Sequence, residues 1–272
     1  MTANPIKLVV LVSDIHCGST TGLLPPGFKN FEANEIKQNP VQEWLWEAWT
    51  RGQDWVAGVV GSDPFALVIN GDSIEGVHHG TKQVVSPQVG DHAAAAKIAV
   101  MPLARRAARR FVVRGTECHT GEHEIALGDD IGAEINPDLG LPIFDRLTVD
   151  VNGTRCVFRH HISASVRRNL AGSGLSIALA EEQVESANNE EPLTRVLCCA
   201  HRHKFGVYKD DNGVCVVTPP WQFLTRFGHK VVSPARCKPG FVVLDWRGEA
   251  EGALPHVHSK IYKTPPPKAF TL

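Results

Sequence analysis

Five short apolar runs alternate with longer segments in which apolar residues recur at helical spacing. Each run is short enough to be a buried strand, and most of the runs are rich in valine, leucine or isoleucine. The runs cover residues 7–12, 66–70, 111–114, 154–159 and 195–200. Helical patterns separate the first three runs, over residues 41–60 and 91–110. This alternation predicts βαβ units, a parallel sheet and an α/β fold.

The C-terminal part of the chain has a less regular pattern. Residues 174–189 have a helical pattern, and "KDDNGV" at 209–214 is a hairpin signal before the apolar run 214–219. A last strand is predicted over 240–246, and a Pro-rich tail, about 263–272, is predicted to be irregular. No repeat and no Gly/Ser linker divides the chain, so we expect a single domain over residues 1–272.

Composition and charge exclude several classes of protein. Hydrophobic residues make up 43% of the chain and charged residues 21%, which is ordinary for a globular protein and excludes wholesale disorder. The net charge of −1 gives no overall attraction for a nucleic-acid duplex. The arginines of "LARRAARR", at positions 105, 106, 109 and 110, favour a solvated helix face over a phosphate-binding surface.

Cysteine usage and hydropathy point to a cytoplasmic protein. The seven cysteines are scattered through apolar runs, which is typical of reduced core thiols and not of a disulfide framework. No stretch approaches the ~20 apolar residues that span a bilayer, and no signal peptide is recognisable. We therefore expect a cytoplasmic location and no membrane partner.

Polar residues of metal-ligand type follow each of the five apolar runs at once. The five stretches are "SDIHCG", "GDSIEG", "GTECH", "HHIS" and "AHRHK". Taken alone, each stretch is explained as a turn or polar loop. The carboxyl ends of strands in an open α/β sheet, however, meet at one edge, so the five stretches can lie together. Mixed carboxylate and imidazole ligands suit Mn²⁺, Fe, Zn²⁺ or Ni²⁺. The candidate ligands that share one cleft are Asp14, His16, Asp72, His160, His201 and His203.

The order of these motifs resembles the calcineurin-like metallophosphoesterases, whose pattern is D-x-H, G-D, G-N-H-(E/D), H and G-H-x-H. The resemblance runs from Ile6 to about Pro219 and is closest to stand-alone bacterial and phage members. It implies a sandwich of central β-sheets flanked by helices, with the metal site at the C-terminal strand ends. It also implies that Asp14, His16 and His203 hold a first ion, that Asp72 bridges, and that His160 and His201 hold a second. His161 remains an alternative to His160.

Two positions depart from the family pattern. Ala200 replaces the glycine before His-x-His, and "GTECH" at 115–119 replaces Gly-Asn-His-Glu, with Thr116 and Glu117 in the registers of the asparagine and histidine. We expect Glu117 to support the second ion, directly or through water, and His119 to contact the phosphate or protonate the leaving group. The alternative is that Glu117 and His119 pair with each other or with the arginines of 105–110.

The resemblance implies an enzyme, a metal-dependent phosphoester hydrolase with two divalent ions. Manganese is the expected ion, and iron, zinc or nickel are alternatives. A water bridging the ions would attack phosphorus in line, without a covalent intermediate. Because His78 and His79 follow Asp72 closely, we expect a phosphodiesterase. Nucleic acid, a nucleotide diester and a small cyclic diester are all open as its substrate.

Three other interpretations stay open. A phosphomonoesterase of the same fold and a non-catalytic, metal-binding regulatory member both fit the motifs. The third is the peptidase pattern H-x-x-E-H over His119–His123, which needs one continuous helix. Gly121 disfavours that helix.

Overall fold

The structure is a computed structural model, and it describes residues 5–78, 80–162, 173–226 and 237–264. His79 and most of the Pro-rich tail lie outside these ranges. The strands are β1 (Leu8–Val12), β2 (Ala66–Asn70), β3 (Arg109–Val113), β4 (Leu147–Val151), β5 (Thr154–Phe158), β6 (Val196–Cys199), β7 (Gly206–Lys209), β8 (Val214–Val217), β9 (Gly240–Asp245) and β10 (His256–Ile261). The helices are α1 (Pro40–Val60), α2 (Val89–Arg106), α3 (Glu117–Thr120), α4 (His123–Ile131) and α5 (Ser173–Asn188).

The strands form two five-stranded sheets. The first has the order β10-β9-β1-β2-β3 and the second the order β4-β5-β6-β8-β7. The three strands β1, β2 and β3 are parallel, as the βαβ alternation predicts, but β9 and β10 join them antiparallel. The second sheet pairs β5, β6 and β8 in parallel and adds β4 and β7 antiparallel. The prediction of two-sheet α/β architecture is confirmed, whereas the sheets are mixed and not parallel throughout.

The apolar runs are continuous because the central strands of each sheet are covered on both faces. Along β1, Leu8, Val10 and Val12 pack toward α1 and α2, while Val9 and Leu11 pack against the second sheet. The outer face of the second sheet packs on α5 in the same alternating way. The resulting layers are helices, sheet, sheet and helix, so the strand ends of both sheets can contribute to one site.

The arginine cluster lies away from that site. Helix α2 ends at Arg106, because Ala107 is extended and β3 begins at Arg109, so the four arginines do not share a helix face. Arg109 pairs with Glu134 at 3.0 Å, and Arg110 donates to the Ala104 carbonyl. The cluster is therefore at the amino end of β3, opposite its carboxyl end.

No helix in the described ranges is long and apolar enough to cross a membrane.

Candidate metal centre

Backbone hydrogen bonds between the loops that follow β1 and β2 bring the first two motifs together. The Asp14 amide donates to the Gly71 carbonyl and the His16 amide to the Asp72 carbonyl, each at 3.0 Å. The loops after β5 and β6 are joined in the same way, since the Ala200 amide donates to the His160 carbonyl at 2.8 Å. The structure therefore places all six candidate ligands at the carboxyl ends of strands from both sheets.

Five of these six residues have a left-handed backbone. Within the described ranges eight residues other than glycine have positive φ, and five of them are candidate ligands: Asp14 (48°), His16 (45°), Asp72 (51°), His201 (67°) and His203 (45°). This conformation costs a non-glycine residue about 1 kcal/mol or more and clusters at functional sites. The tight loops fix the direction in which each of these side chains leaves the backbone.

A first group consists of Asp14, His16 and His203, whose ligand atoms all lie within 4.8 Å of one another. His203 Nε2 lies 3.4 Å from Asp14 Oδ1 and 3.2 Å from His16 Nε2. Asp14 Oδ2 accepts from the Ser13 hydroxyl, so Oδ1 is the oxygen that faces the imidazoles. This is the set that the family resemblance implies for the first ion.

A second group consists of Asp72, His160 and His201, again with ligand atoms within 4.8 Å. His160 Nε2 lies 3.0 Å from Asp72 Oδ2, while His160 Nδ1 is 2.8 Å from the Asn70 carbonyl. Because that carbonyl can only accept, Nδ1 carries the proton, and a neutral His160 presents a lone pair on Nε2. The two groups are linked by Asp72, because His16 Nε2 lies 3.7 Å from the same Oδ2.

The donor set fits divalent cations. Among the described residues, Asp14 Oδ1 and His160 Nε2 are buried without a hydrogen bond of good geometry, and their near neighbours are other ligand-type atoms, His203 Nε2 and Asp72 Oδ2. Burial alone would lower the pKa of His160, but the Asp72 carboxylate beside it raises the pKa to about 9. Burial would likewise lower the pKa of His203, but the Asp14 carboxylate raises it to about 10. Both shifts show that the buried carboxylates favour positive charge at this position, which divalent ions would supply.

Glu75 supports the first group and was not among the residues predicted from the sequence. It is buried, its Oε2 lies 2.9 Å from His16 Nδ1, and Gln222 donates to the same oxygen at 2.6 Å. Burial alone would raise the pKa of Glu75, but His16 and His78 hold it well below its usual range. Glu75 is therefore an anion that directs Nε2 of His16 toward the cleft. The Glu in "GDSIEG" was the available signal, but nothing in its spacing distinguished it from a loop residue.

Glu124 is a second buried carboxylate that the sequence did not reveal. It accepts from the Ser73 amide at 2.9 Å and from the Gly115 amide at 2.8 Å, and so joins the loops after β2 and β3. A Cβ at Gly115 would lie 2.2 Å from the Asp72 backbone nitrogen, so glycine is required for this close approach. Together these contacts fix the position of Asp72.

The structure does not bring Glu117 to either group. Its side chain is exposed at the start of α3, and it belongs to none of the ligand groups among the described residues. Thr116 faces Asp72 instead: its amide donates to Oδ1 at 2.6 Å, and its hydroxyl lies 3.2 Å from Oδ2 and 3.1 Å from His201 Nδ1. The prediction that Glu117 supports the second ion directly is not supported by this geometry, because α3 turns its side chain toward solvent.

His119 lies on the side of the first group. Its ring centroid is 4.9 Å from that of His16, and its Nδ1 is 2.8 Å from the Glu75 carbonyl. Burial, with the His16 ring beside it, lowers the pKa of His119 to about 4, so the imidazole is neutral at pH 7. A neutral ring suits a hydrogen-bond or ligand role better than proton donation. Neither Glu117 nor His119 pairs with an arginine of 105–110 in the contacts of the described residues.

The remaining histidine predictions separate by burial. His160 is buried, whereas His161 is exposed and packs its ring 4.6 Å from that of His201, so the geometry favours His160 as the ligand. His78 lies against His119, with ring centroids 4.1 Å apart, and His79 is outside the described residues. Gly121, at φ 47°, separates α3 from α4, so His119–His123 is not one helix and the peptidase pattern fails.

Comparison with known proteins gives distant structural similarities. No protein-family model and no curated protein matches the chain. Among solved structures, an archaeal phosphodiesterase aligns with 12% identity over 94% of this chain and 99% of that chain, at a TM-score of 0.45. Zn²⁺-bound Vps29 from Entamoeba histolytica aligns with 11% identity over 94% of this chain and 98% of that chain, at a TM-score of 0.39. A predicted phosphoesterase from Streptococcus pneumoniae TIGR4 aligns with 13% identity over 93% of this chain and 98% of that chain, at a TM-score of 0.34. Similarities this distant do not assign an activity to the chain.

Proposed function

We propose that this chain is a calcineurin-like metallophosphoesterase that hydrolyses phosphoesters, preferentially diesters, at a dinuclear metal centre. The observation that supports this most directly is the position of Asp72 between two groups of ligand atoms. Its Oδ2 is 3.0 Å from His160 Nε2 of one group and 3.7 Å from His16 Nε2 of the other. A carboxylate shared in this way suits two ions about 3.5–4 Å apart.

Each ligand would have a distinct place in that centre. Asp14, His16 and His203 would hold the first ion, and His160 and His201 the second, with Asp72 shared. Manganese is the proposed ion at both positions, although the ligand types also suit iron, zinc and nickel. When bound, such ions would lower the pKa of water and neutralise charge on the phosphoryl oxygens.

Residues around the ligands would orient the reacting groups. Thr116 donates to both carboxylate oxygens of Asp72, and its hydroxyl also lies within hydrogen-bond distance of His201. It would therefore hold these two ligands in place at the position that asparagine occupies in the family pattern. His119 faces the cleft from the other side, beside His16. Because Nδ1 donates to the Glu75 carbonyl, Nε2 is the nitrogen left for the substrate, and it would donate to the phosphate or the leaving oxygen only when the ring is protonated.

A nucleotide or nucleic-acid diester is the proposed substrate class. Imidazoles line both sides of the ligand groups, with His78 and His119 on one side and His161 on the other. Such groups can contact the larger leaving group of a diester by hydrogen bonds.

The test is hydrolysis of a model phosphodiester and a model phosphomonoester by the purified chain loaded with Mn²⁺. We expect the diester to be cleaved with the higher kcat/KM, and His119→Ala to lower kcat while metal content stays at the parent value. A clear monoester preference would replace the diester assignment with the monoesterase alternative. Full activity in His119→Ala would remove that residue from the mechanism.

A non-catalytic, metal-binding role is the second candidate function. Its specific support is that Thr116 and the exposed Glu117 occupy the registers where the family has asparagine and histidine. The two candidates are separated by measuring metal content and turnover together. Two bound ions with no hydrolysis of either ester under Mn²⁺, Fe²⁺, Zn²⁺ or Ni²⁺ would favour the non-catalytic role.

A further inference from the structure

A third cluster of ligand-type side chains lies beside the proposed centre. His78, Cys118 and His119 can each offer one ligand atom, and these atoms all lie within 4.8 Å of one another. The rings of His78 and His119 meet edge to face with centroids 4.1 Å apart. Two imidazoles and a thiol make a softer donor set than the carboxylate-containing groups of the proposed centre.

Glu75 holds both histidines of this cluster. Its Oε1 lies 3.3 Å from His78 Nε2, and its backbone carbonyl is 2.8 Å from His119 Nδ1. A carboxylate or carbonyl on one ring nitrogen is the usual support of a metal-binding histidine, because it fixes the ring and the tautomer. The cluster is thus partly preorganised by a residue that also supports His16.

Cys118 is accessible in a way that the other cysteines are not. All seven cysteines lie within the described residues, and Cys118 is the one that is exposed. It stands in α3, directly before His119. An ion arriving from solvent therefore meets the thiol without any opening of the core.

We propose that His78, Cys118 and His119 form an inhibitory site for a soft divalent cation, with Zn²⁺ as the ion of best fit. Three protein ligands and one water complete a tetrahedral zinc site. On binding, the thiol proton of Cys118 is released to solvent and a zinc–thiolate bond forms. The inhibition rests on the proposed function, because Nε2 of His119 would be taken up by the ion and lost to the substrate.

Cobalt spectroscopy tests the site without using activity. The two ligand groups of the proposed centre contain no cysteine, but the Cys237 thiol contacts His203 of the first group. A thiolate-to-cobalt charge-transfer band therefore identifies the new site only if it depends on Cys118. We expect Co²⁺ added to Mn²⁺-loaded protein to produce this band in the near ultraviolet. Cys118→Ser should abolish the band, and Glu122→Gln, which changes an exposed neighbour that is no ligand, should retain it. Zn²⁺ should also protect Cys118 from alkylation by a maleimide.

Zinc inhibition is the second readout. With Mn²⁺ present, Zn²⁺ should inhibit the parent, and Cys118→Ser should raise the inhibitory Zn²⁺ concentration at least tenfold while leaving activity without zinc unchanged. Absence of the cobalt band, or a band that persists in Cys118→Ser, would overturn the site. If the band behaves as expected but no ester is hydrolysed, the site stands and the proposed hydrolase function fails. Equal zinc sensitivity of parent and Cys118→Ser would overturn the inhibitory role.

Discussion

The two ligand groups differ in what surrounds them. Asp14, His16 and His203 are supported by Glu75, a buried anion 2.9 Å from His16 Nδ1. Asp72, His160 and His201 are supported by neutral groups, the Asn70 carbonyl and the Thr116 hydroxyl, and His201 is exposed. A charged, buried partner makes an imidazole a stronger ligand than a neutral one does. For the proposed centre, this difference predicts that the first group would hold its ion more tightly than the second group.

Asp72→Asn is expected to have the largest effect, because this carboxylate faces both groups. The amide keeps the shape but removes the negative charge, so hydrolysis should fall to background and both ions should bind more weakly. Metal content by atomic spectroscopy, with circular dichroism to confirm the fold, measures this. Full activity with two ions per chain would show that Asp72 is not shared between the groups.

His160→Ala should have the next largest effect and should act on the second group alone. Metal content should fall from two ions to one, with turnover greatly reduced. His161→Ala is the matched control, since it removes the adjacent, exposed imidazole. Were His161→Ala to lose an ion while His160→Ala retained two, the ligand assignment between these neighbours would be reversed.

Glu75→Gln should weaken the first ion without removing a ligand. Loss of such a supporting carboxylate lowers metal affinity by about 10- to 100-fold, and we expect that range for one of the two ions. Competition with a fluorescent chelator measures the affinity, and excess Mn²⁺ should restore turnover. If excess metal fails to restore turnover while both ions are bound, Glu75 acts on the substrate and not only through His16.

Thr116→Val should produce a smaller effect, confined to the second group. Valine keeps the backbone amide bond to Asp72 Oδ1 but removes the hydroxyl near Oδ2 and His201, so we expect a several-fold loss of affinity for the second ion. Glu117→Gln is the control, because the side chain is exposed. A greater loss in Glu117→Gln than in Thr116→Val would restore Glu117 as the supporting residue.

The sequence predicted the strands that position the site more accurately than it predicted the loops. Runs 7–12 and 66–70 match β1 and β2 to within one residue, because strands buried on both faces are continuous in hydrophobicity. Strands β4 and β10 gave no such signal, since each has a partly solvated face. Helix α2 ends at Arg106, four residues before the helical pattern ends. The backbone is already extended at Ala107, and Arg109 and Arg110 belong to β3.

The sequence by itself determined the chemical type of the site, because carboxylates and imidazoles placed directly after buried strands must meet at the edge where those strands end. Only the tertiary structure decided which side chains face one another. The end of a strand determines where a residue lies. The direction of its side chain depends on the left-handed turns at Asp14 and Asp72 and on long-range hydrogen bonds, such as that between Gln222 and Glu75. For the same reason the sequence did not predict that Glu75 lies beside the ligands and that Glu117 lies in solvent. The burial and orientation of a loop residue depend on contacts with residues distant in sequence, and a local sequence pattern does not contain them.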